Sequence, residues 1–540
     1  MSKKLRIVMA QLDFLVGDIQ GNLKKHIQAA EQARDLMKAD VIVFSELGMT
    51  GYPPEDLLRR ASFIEESTQA LNEFIQTVTG IHCVIGHPYA TSKGLYNSCS
   101  LIYNNTILAR FNKKHLPNYG VFDEHRYFIS GDAGSVVLIH EIPVAIVICE
   151  DLWYAAPVQE TATHGARIIL SPNASPYEIN KDSERKKIVA RRASANNVPI
   201  VYVNQVGTQD DIVFDGGSMV VDASGVVCQQ MEFFQPGLIP VDIEVTSTDT
   251  RIAAQVVTVP GEYEQIYQAL VMSVRDYVNK NNFTGALIGV SGGIDSALTL
   301  AIAVDALGKD NVTAVVMPSR YTAPVSLKDA TALINNFGVA REDISIEPVF
   351  TSFLATLAPV FQDKQPDVTE QNIQSRCRGV LLMALSNKTG RIVLTTGNRS
   401  EMAVGYATLY GDMAGGYAVL KDIPKMLVYA LSKYRNESGE VIPQNILDRA
   451  PTAELAFEQR DDDTLPAYPV LDKILTLYLN EEQSIEQIVA TGIETATVEK
   501  VVRWIHKNEY KRKQSAIGPR INHTAFGKDR RYPATSGYRK

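Results

Sequence analysis

Apolar residues in this chain come in short runs separated by longer amphipathic stretches. Runs such as Val144-Ala145-Ile146-Val147-Ile148 have no polar face and read as strands buried on both sides. On that pattern strands are expected over residues 6–11, 41–45, 83–86, 100–103, 144–149, 167–171 and 200–204. Helical spacing fits residues 22–37, 56–79 and 183–196. Residues 98–110 and 214–229 instead alternate around turn residues and read as antiparallel hairpins. A mixed-sheet α-β-β-α sandwich suits the first half better than a purely parallel fold.

Around residues 243–262 the pattern pauses in Thr/Ser-rich and Pro-Gly segments, which places a linker there. The expected division is 1–245, a linker over 246–261, and 262–540. A second α/β series follows: helix 262–281, strand 286–290, helix 296–307, strand 312–317, helices 327–337 and 372–386, and strand 391–395. This alternation predicts a doubly wound parallel sheet, with its ligand at the C-terminal ends of the strands.

Composition adds mainly exclusions. With 540 residues, 45% of them hydrophobic, the chain can bury more than one core. A net charge of −8 argues against general binding to nucleic acid or to an anionic membrane. The five cysteines are scattered and form no metal-type CxxC pair, which suits free thiols in a reducing cytoplasm. Gln11 and Asp13 interrupt the apolar N-terminus too early for a secretory leader. No run approaches the roughly 18 apolar residues needed to span a bilayer. A soluble, cytoplasmic protein is expected.

Candidate chemistry is concentrated where strands end. Gly289-Val290-Ser291-Gly292-Gly293-Ile294-Asp295-Ser296 follows an apolar strand and opens a helix. Glycines there let backbone N–H groups close on a phosphate, and the helix N-terminus adds partial positive charge. Asp295 stands where a Walker loop carries lysine, so a bridging Mg²⁺ is expected between carboxylate and phosphate. The loop resembles the pyrophosphate-binding SGGxDS loop of ATP pyrophosphatases, which split ATP into AMP and pyrophosphate.

In the first half, Glu46, Lys113 and Cys149 each follow a strand candidate. Taken singly, they read as a helix-start carboxylate, one of two solvated lysines and a core thiol. Together and in this order they resemble the Glu-Lys-Cys constellation of the nitrilase/amidase superfamily, whose Lys-x-His-Leu segment selects Lys113 over Lys114. That resemblance implies Cys149 as nucleophile on a carboxamide, Glu46 as general base and Lys113 as the charge that stabilises the oxyanion. Glu124 resembles the second glutamate of such sites, with a surface carboxylate as the plain reading. Resemblance to the glutaminase branch places Tyr119, Ser175 and Lys181 on the substrate glutamine.

Further on come Asn372-Ile373-Gln374-Ser375-Arg376, Thr395-Thr396-Gly397-Asn398-Arg399-Ser400-Glu401, Tyr410-Gly411-Asp412-Met413-Ala414-Gly415-Gly416, Lys421-Asp422-Ile423-Pro424-Lys425 and Pro451-Thr452-Ala453-Glu454-Leu455. With the SGGxDS loop and the nitrilase-like half, these resemble the glutamine-dependent NAD synthetase family over nearly the whole chain. The resemblance implies Thr396, Lys421 and Thr452 on ATP, and Asn372, Arg376, Glu401 and Lys511 on deamido-NAD. It links Glu401 to metal as well, so Asp295 and Glu401 are the candidate Mg²⁺ ligands. Leu409 stands where ammonia-only relatives carry a lysine for the dinucleotide, which singles out that loop as a departure. Lys511-Arg512-Lys513 also reads as a plain basic cluster.

The implied reaction releases ammonia from glutamine at Cys149, adenylates the nicotinate carboxylate of deamido-NAD, and lets ammonia displace AMP. A sheltered ammonia route is expected, because ammonia in bulk water is mostly protonated. By the same resemblance a homo-oligomer is expected. Rival amidotransferases fit less well: an asparagine synthetase needs an N-terminal cysteine, and the chain begins Met1-Ser2. A GMP synthetase would carry a triad-type glutaminase. A non-catalytic docking role for the first half predicts that Cys149→Ala keeps glutamine-driven synthesis.

Overall fold

The computed structural model describes residues 2–132, 134–246, 249–253, 257–362, 364–457 and 461–538. The chain divides into two compact units, Met1–Gly261 and Glu262–Lys540. Part of the expected linker, residues 247, 248 and 254–256, lies outside the described residues.

The first unit is an α-β-β-α sandwich. One sheet has seven strands in the order Thr250–Ile252, Gly237–Val245, Lys3–Gln11, Val41–Val43, His82–Thr91, Gly94–Tyr103, Thr106–Asn112. The other has six, in the order Val227–Gln230, Met219–Val221, Ile200–Asn204, Ile168–Asn173, Ile142–Ile146, Val136–Ile139. The central strands of both are parallel and the outer ones antiparallel. Side chains alternate as the pleat requires. Leu5, Ile7 and Met9 join Val144, Ile146 and Ile148 in the core between the sheets, while Val8 and Ala10 face the helices Ile19–Asp35 and Ala61–Thr77. On the outer face of the second sheet, Ala145 and Val147 pack with Val158 and Val189 of helices Ala155–Thr163 and Lys181–Asn196.

Several bounds differ from expectation. The helix expected over 56–79 is a 3₁₀ turn, Glu55–Arg59, and then a helix that starts only at Ala61, because Arg60 is extended. The hairpin expected over 214–229 splits: Ile212–Asp215 pairs with Val206–Gln209, and Met219–Val221 with Val227–Gln230. Gly237–Val245, unrecognised in the sequence, pairs along its whole length with Lys3–Gln11. The stretch expected to link the halves adds an edge strand, Thr250–Ile252.

The second unit holds five parallel strands in the order Ala340–Asp343, Val312–Val316, Ala286–Gly289, Ile392–Thr395, Tyr417–Ala418. Leu287, Val315 and Val393 meet Phe350, Cys377 and Leu382 of helices Glu347–Phe361 and Val368–Thr389. Strand order reverses between Ala286–Gly289 and Ile392–Thr395, so the loops leaving these two strands diverge and open a crevice at their C-terminal ends. A separate helical cluster is built from Tyr468–Leu475, Ile485–Val489 and Thr495–Lys507.

Candidate active sites

In the first unit, three strand ends deliver Glu46, Lys113 and Cys149, all buried. Strand Val41–Val43 leads to Glu46, and Gly86 on the neighbouring strand lets that backbone pass: a Cβ on Gly86 would meet Leu47 N at 2.4 Å. Strand Thr106–Asn112 leads to Lys113, whose N–H donates to Asn97 O at 2.8 Å. The third strand ends at Ile146, earlier than expected, and Cys149 opens the 3₁₀ turn Cys149–Trp153. Its φ of +42° is a conformation that side-chain-bearing residues rarely adopt, and such strain recurs at functional positions.

Lys113 Nζ donates to Glu46 Oε1 at 2.6 Å and to Glu124 Oε1 at 2.8 Å. Lys114 turns away and pairs with Glu160 at 2.9 Å. Tyr52 OH donates to Glu124 Oε1 at 2.8 Å, and Asn97 Nδ2 donates to Glu46 Oε1 at 2.7 Å. Burial, reinforced by Glu46 and offset by Lys113, pushes Glu124 up to about 7. Burial by itself lowers Lys113, but Glu124 and Glu46 reverse that and hold it firmly charged. Burial, with the charge of Glu46 added, raises the Cys149 thiol well above the usual range. The thiol is therefore protonated near neutrality, and attack on a carboxamide needs a base beside it.

The expected glutamine contacts gather on the same turn. Tyr119 OH donates to both oxygens of Glu150 at 3.1 Å, next to the nucleophile. Lys181 Nζ lies 4.4 Å from the centre of the Trp153 ring and 2.9 Å from Glu184. Arg185 Nε donates to Ser175 Oγ at 3.0 Å, and the neighbouring Ala174 backbone acts to offset the rise of the Cys149 thiol. Asp151, unremarked in the sequence, accepts the N–H groups of Lys114 and His115 at 3.1 and 2.7 Å. It thereby ties the Cys149 turn to the Lys113 turn.

In the second unit, the loop after Ala286–Gly289 borders a cavity of about 290 Å³. Gly289, Val290, Ser291, Gly293, Ile294, Asp295 and Ser296 line it, as do Thr396, Glu401 and Thr452. Gly292 is behind the lining, with φ of +81°, and a Cβ there would meet Ser326 O at 2.3 Å. The loop is locked from within: Gly293 N donates to Ser291 Oγ at 3.2 Å, and Ser296 Oγ to Gly293 O at 2.9 Å. Lys421, expected on ATP, is not among the lining residues, and its Nζ donates to Ala516 O at 2.7 Å.

Lys425 was not singled out in the sequence, yet it holds the centre of the site. Its buried Nζ donates to Asp295 Oδ2 at 2.5 Å and to Glu401 Oε1 at 3.2 Å. Asn398 Nδ2 donates to Asp295 Oδ1 at 2.8 Å, while its Oδ1 accepts the Glu401 N–H at 3.0 Å. Burial, with the charges of Asp295 and Asp461 added, pushes Glu401 up to about 8 despite the ammonium. Three carboxyl groups, Asp295, Glu401 and Asp461, act on the one ammonium of Lys425. Among the described residues no ready-made cluster of three metal-ligating side chains occurs. Two carboxylates facing a phosphate-sized crevice still suit Mg²⁺, which keeps waters and takes one or two carboxylates beside substrate phosphates.

Asn372, Arg376 and Lys511, expected on the dinucleotide, converge elsewhere. Asn372 Oδ1 accepts from Thr408 at 3.0 Å, Arg376 Nε donates to Leu409 O at 3.2 Å, and Lys511 Nζ donates to Gly405 O and Ala407 O at 2.8 Å each. All three brace the 405–409 loop and none lines the cavity.

Residues 6–252 match the carbon-nitrogen hydrolase family, and residues 266–515 match the NAD synthase family. The glutamine-dependent NAD(+) synthetase of Xanthomonas campestris pv. campestris is 48% identical over 542 residues, covering 99% of this chain and 98% of that protein. That of Thermotoga maritima is 44% identical over 576 residues, covering both chains in full. Among solved structures, glutamine-dependent NAD+ synthetase from Acinetobacter baumannii in complex with ADP has a TM-score of 0.81 and 42% identity, with 99% of each chain covered.

Proposed function

Because the chain belongs to the glutamine-dependent NAD(+) synthetases, and so uses ATP and glutamine-derived ammonia to amidate deamido-NAD in the last step of NAD synthesis, we propose the following division of labour among its residues. Cys149 attacks the side-chain carboxamide of glutamine while Glu46 takes the thiol proton. The Lys113 ammonium offsets the oxyanion charge as the tetrahedral intermediate forms. Glu46 returns the thiol proton to the amide nitrogen as the C–N bond breaks, which expels ammonia and leaves a γ-glutamyl thioester. Glu46 then draws a proton from the water that clears it. Glu124, held by Tyr52 and Lys113, fixes the lysine in place. Tyr119, Ser175 and Lys181 orient the amino-acid end of glutamine.

In the second unit, the 289–296 loop cradles the ATP phosphates with its N–H groups, and Thr396 and Thr452 line the same cavity. The nicotinate carboxylate attacks the α-phosphorus, pyrophosphate leaves, and ammonia displaces AMP from the adenylate. Asp295 and Glu401 would hold Mg²⁺, which supplies charge neutralisation for the departing pyrophosphate. Asn372, Arg376 and Lys511 hold the dinucleotide through the 405–409 loop, and Glu401 reaches it from the cavity side. Lys421 acts on ATP only indirectly, since its amine is engaged with the 516 carbonyl. A cytoplasmic homo-oligomer completes the reading.

The observation that carries the first half is the 2.6 Å contact of Lys113 with Glu46, whose charge in turn acts on a buried, protonated Cys149. Acid quenching during turnover, followed by peptide mass spectrometry, tests it. A γ-glutamyl adduct on the Cys149 peptide is expected; an adduct on another cysteine, or none at any quench time, overturns it.

A further inference from the structure

Asn97 lies in the strand Gly94–Tyr103, opposite Pro88, and is fully buried. Its backbone O accepts the Lys113 N–H at 2.8 Å, and its Nδ2 donates to Glu46 Oε1 at 2.7 Å while reaching Glu124 Oε2 at 3.5 Å. One residue thus touches both carboxyl groups and the backbone of the lysine beside the thiol. Its amide is oriented by Glu46 Oε1, which also takes the Lys113 ammonium and accepts rather than donates, so the NH₂ group faces it. Glu46 Oε1 receives two donors, Lys113 Nζ and Asn97 Nδ2. Glu46 Oε2 is equally buried and has no hydrogen-bond partner among the described residues. Two charge-assisted donors on Oε1 spend its lone pairs and stop the carboxylate from turning. The basic lone pairs left over are those of Oε2.

Building on the assignment of Glu46 as the base, we propose that Asn97 is a positioning residue that clamps one oxygen of Glu46 and so reserves the other, Oε2, to take the proton from Cys149. The thiol proton passes from Sγ to Oε2, and the Sγ electron pair forms the new bond to the carboxamide carbon. Oε2 then returns that proton to the amide nitrogen as the C–N bond breaks and ammonia leaves, and so is free to receive the proton of the attacking water. Asn97 touches neither substrate nor thiol in this scheme; it acts through Glu46.

The test uses the full-length enzyme and measures glutamine-driven and ammonium-driven NAD synthesis side by side. Asn97→Ala should lower kcat with glutamine by about tenfold to a hundredfold, the worth of a hydrogen bond to a charged group, with KM changed less than about threefold. Loss of a donor to the ionised carboxylate favours its protonated form. The acidic limb of kcat/KM for glutamine should therefore move up by about one pH unit. The other titratable groups around Glu46, namely Lys113, Glu124, Tyr52, Cys99 and Cys149 with Glu150 and Asp151 beyond, are intact in this variant. Ammonium-driven synthesis should be unchanged.

A merely structural role would lower activity with the limb unmoved, and that result overturns the inference, as does a rise in KM at constant kcat. Should Asn97→Ala not accumulate as folded protein, Asn97→Leu keeps the volume, removes the donor and should give the same readings. Glu46→Gln run in parallel separates the two ideas. A Glu46→Gln enzyme that still uses glutamine refutes the base assignment, whereas an inactive one beside an unaltered Asn97→Ala refutes only the clamp.

Discussion

Lys425 Nζ stands 2.5 Å from Asp295 Oδ2, a buried ammonium at the position where the sequence leads one to expect a metal. It also reaches Glu401, a carboxyl that burial disfavours in its charged form, so one lysine serves two acidic side chains. Because burial pushes Glu401 up to about 8 from an ordinary 4.5, the folded state holds a proton there that the unfolded chain releases. The stability this contributes is fully present below about 4.5 and is lost as pH rises through about 8. Glu124, pushed up to about 7, acts with the same sign. The melting temperature of the ligand-free enzyme should fall by on the order of a few degrees between pH 6 and pH 8.5. Glu401→Gln should flatten that fall and Lys425→Met should steepen it. Scanning calorimetry across this range checks the point, and identical slopes in all three proteins would contradict it.

The turn at Gly292 leaves no room for a side chain. A Cβ there would lie 2.3 Å from Ser326 O, with φ already in the left-handed region. Gly292→Ala must shift the phosphate loop, at a cost of roughly 1–3 kcal/mol. Ammonium-driven synthesis should fall at least about tenfold with a raised KM for ATP, while glutamine hydrolysis persists. Loss of both activities together would point to global unfolding instead.

Arg185 fastens the expected glutamine pocket. It donates to Asp215 at 2.7 Å, to Ser175 Oγ at 3.0 Å, and to the carbonyls of Ser175 and Pro176 at 2.9 and 2.6 Å. Arg185→Met leaves Asp215 buried and uncompensated, a loss of about 3–5 kcal/mol. Urea unfolding of the first unit should register that loss, and KM for glutamine should rise. An unchanged midpoint would show that the pair contributes nothing.

Ammonia released at Cys149 is useful only as the neutral amine. With glutamine labelled at its amide nitrogen and unlabelled ammonium in solution near neutral pH, NAD should carry mostly the glutamine nitrogen. Isotope-ratio mass spectrometry of the product reads this directly, and complete mixing of the two nitrogens would show that the ammonia passes through bulk solvent.

The strand ends carrying Glu46, Cys149 and the 289–296 loop were legible because each closes an apolar run, whereas Lys113 follows Arg110 and Asn112 and was legible through its Lys-x-His-Leu segment. The turn at Cys149 was not: Val147 and Ile148 extend the apolar run past the last paired residue, Ile146, so hydrophobicity alone overshoots. Asn97 carried a signal that went unread, since asparagine is depleted in strand interiors unless its amide has a task. Lys425 carried one too. It opens the helix Lys425–Glu437, where the macrodipole disfavours a cation, and the carboxyl groups of Asp295, Glu401 and Asp461 offset that. Lys421 and Lys425 share one motif, and only side-chain direction shows which of them faces the cavity. Gly237–Val245 was obscured by Pro240, Asp242 and Glu244, although its partner is the first strand of the chain.

The most direct test replaces the nucleophile and supplies the nitrogen from outside. NAD and AMP are measured for wild type and for Cys149→Ala, with ATP, Mg²⁺ and deamido-NAD, first with glutamine and then with ammonium. The variant should make no NAD from glutamine above background and should match wild type on ammonium. NAD formation from glutamine by Cys149→Ala at a rate near that of wild type would contradict the account.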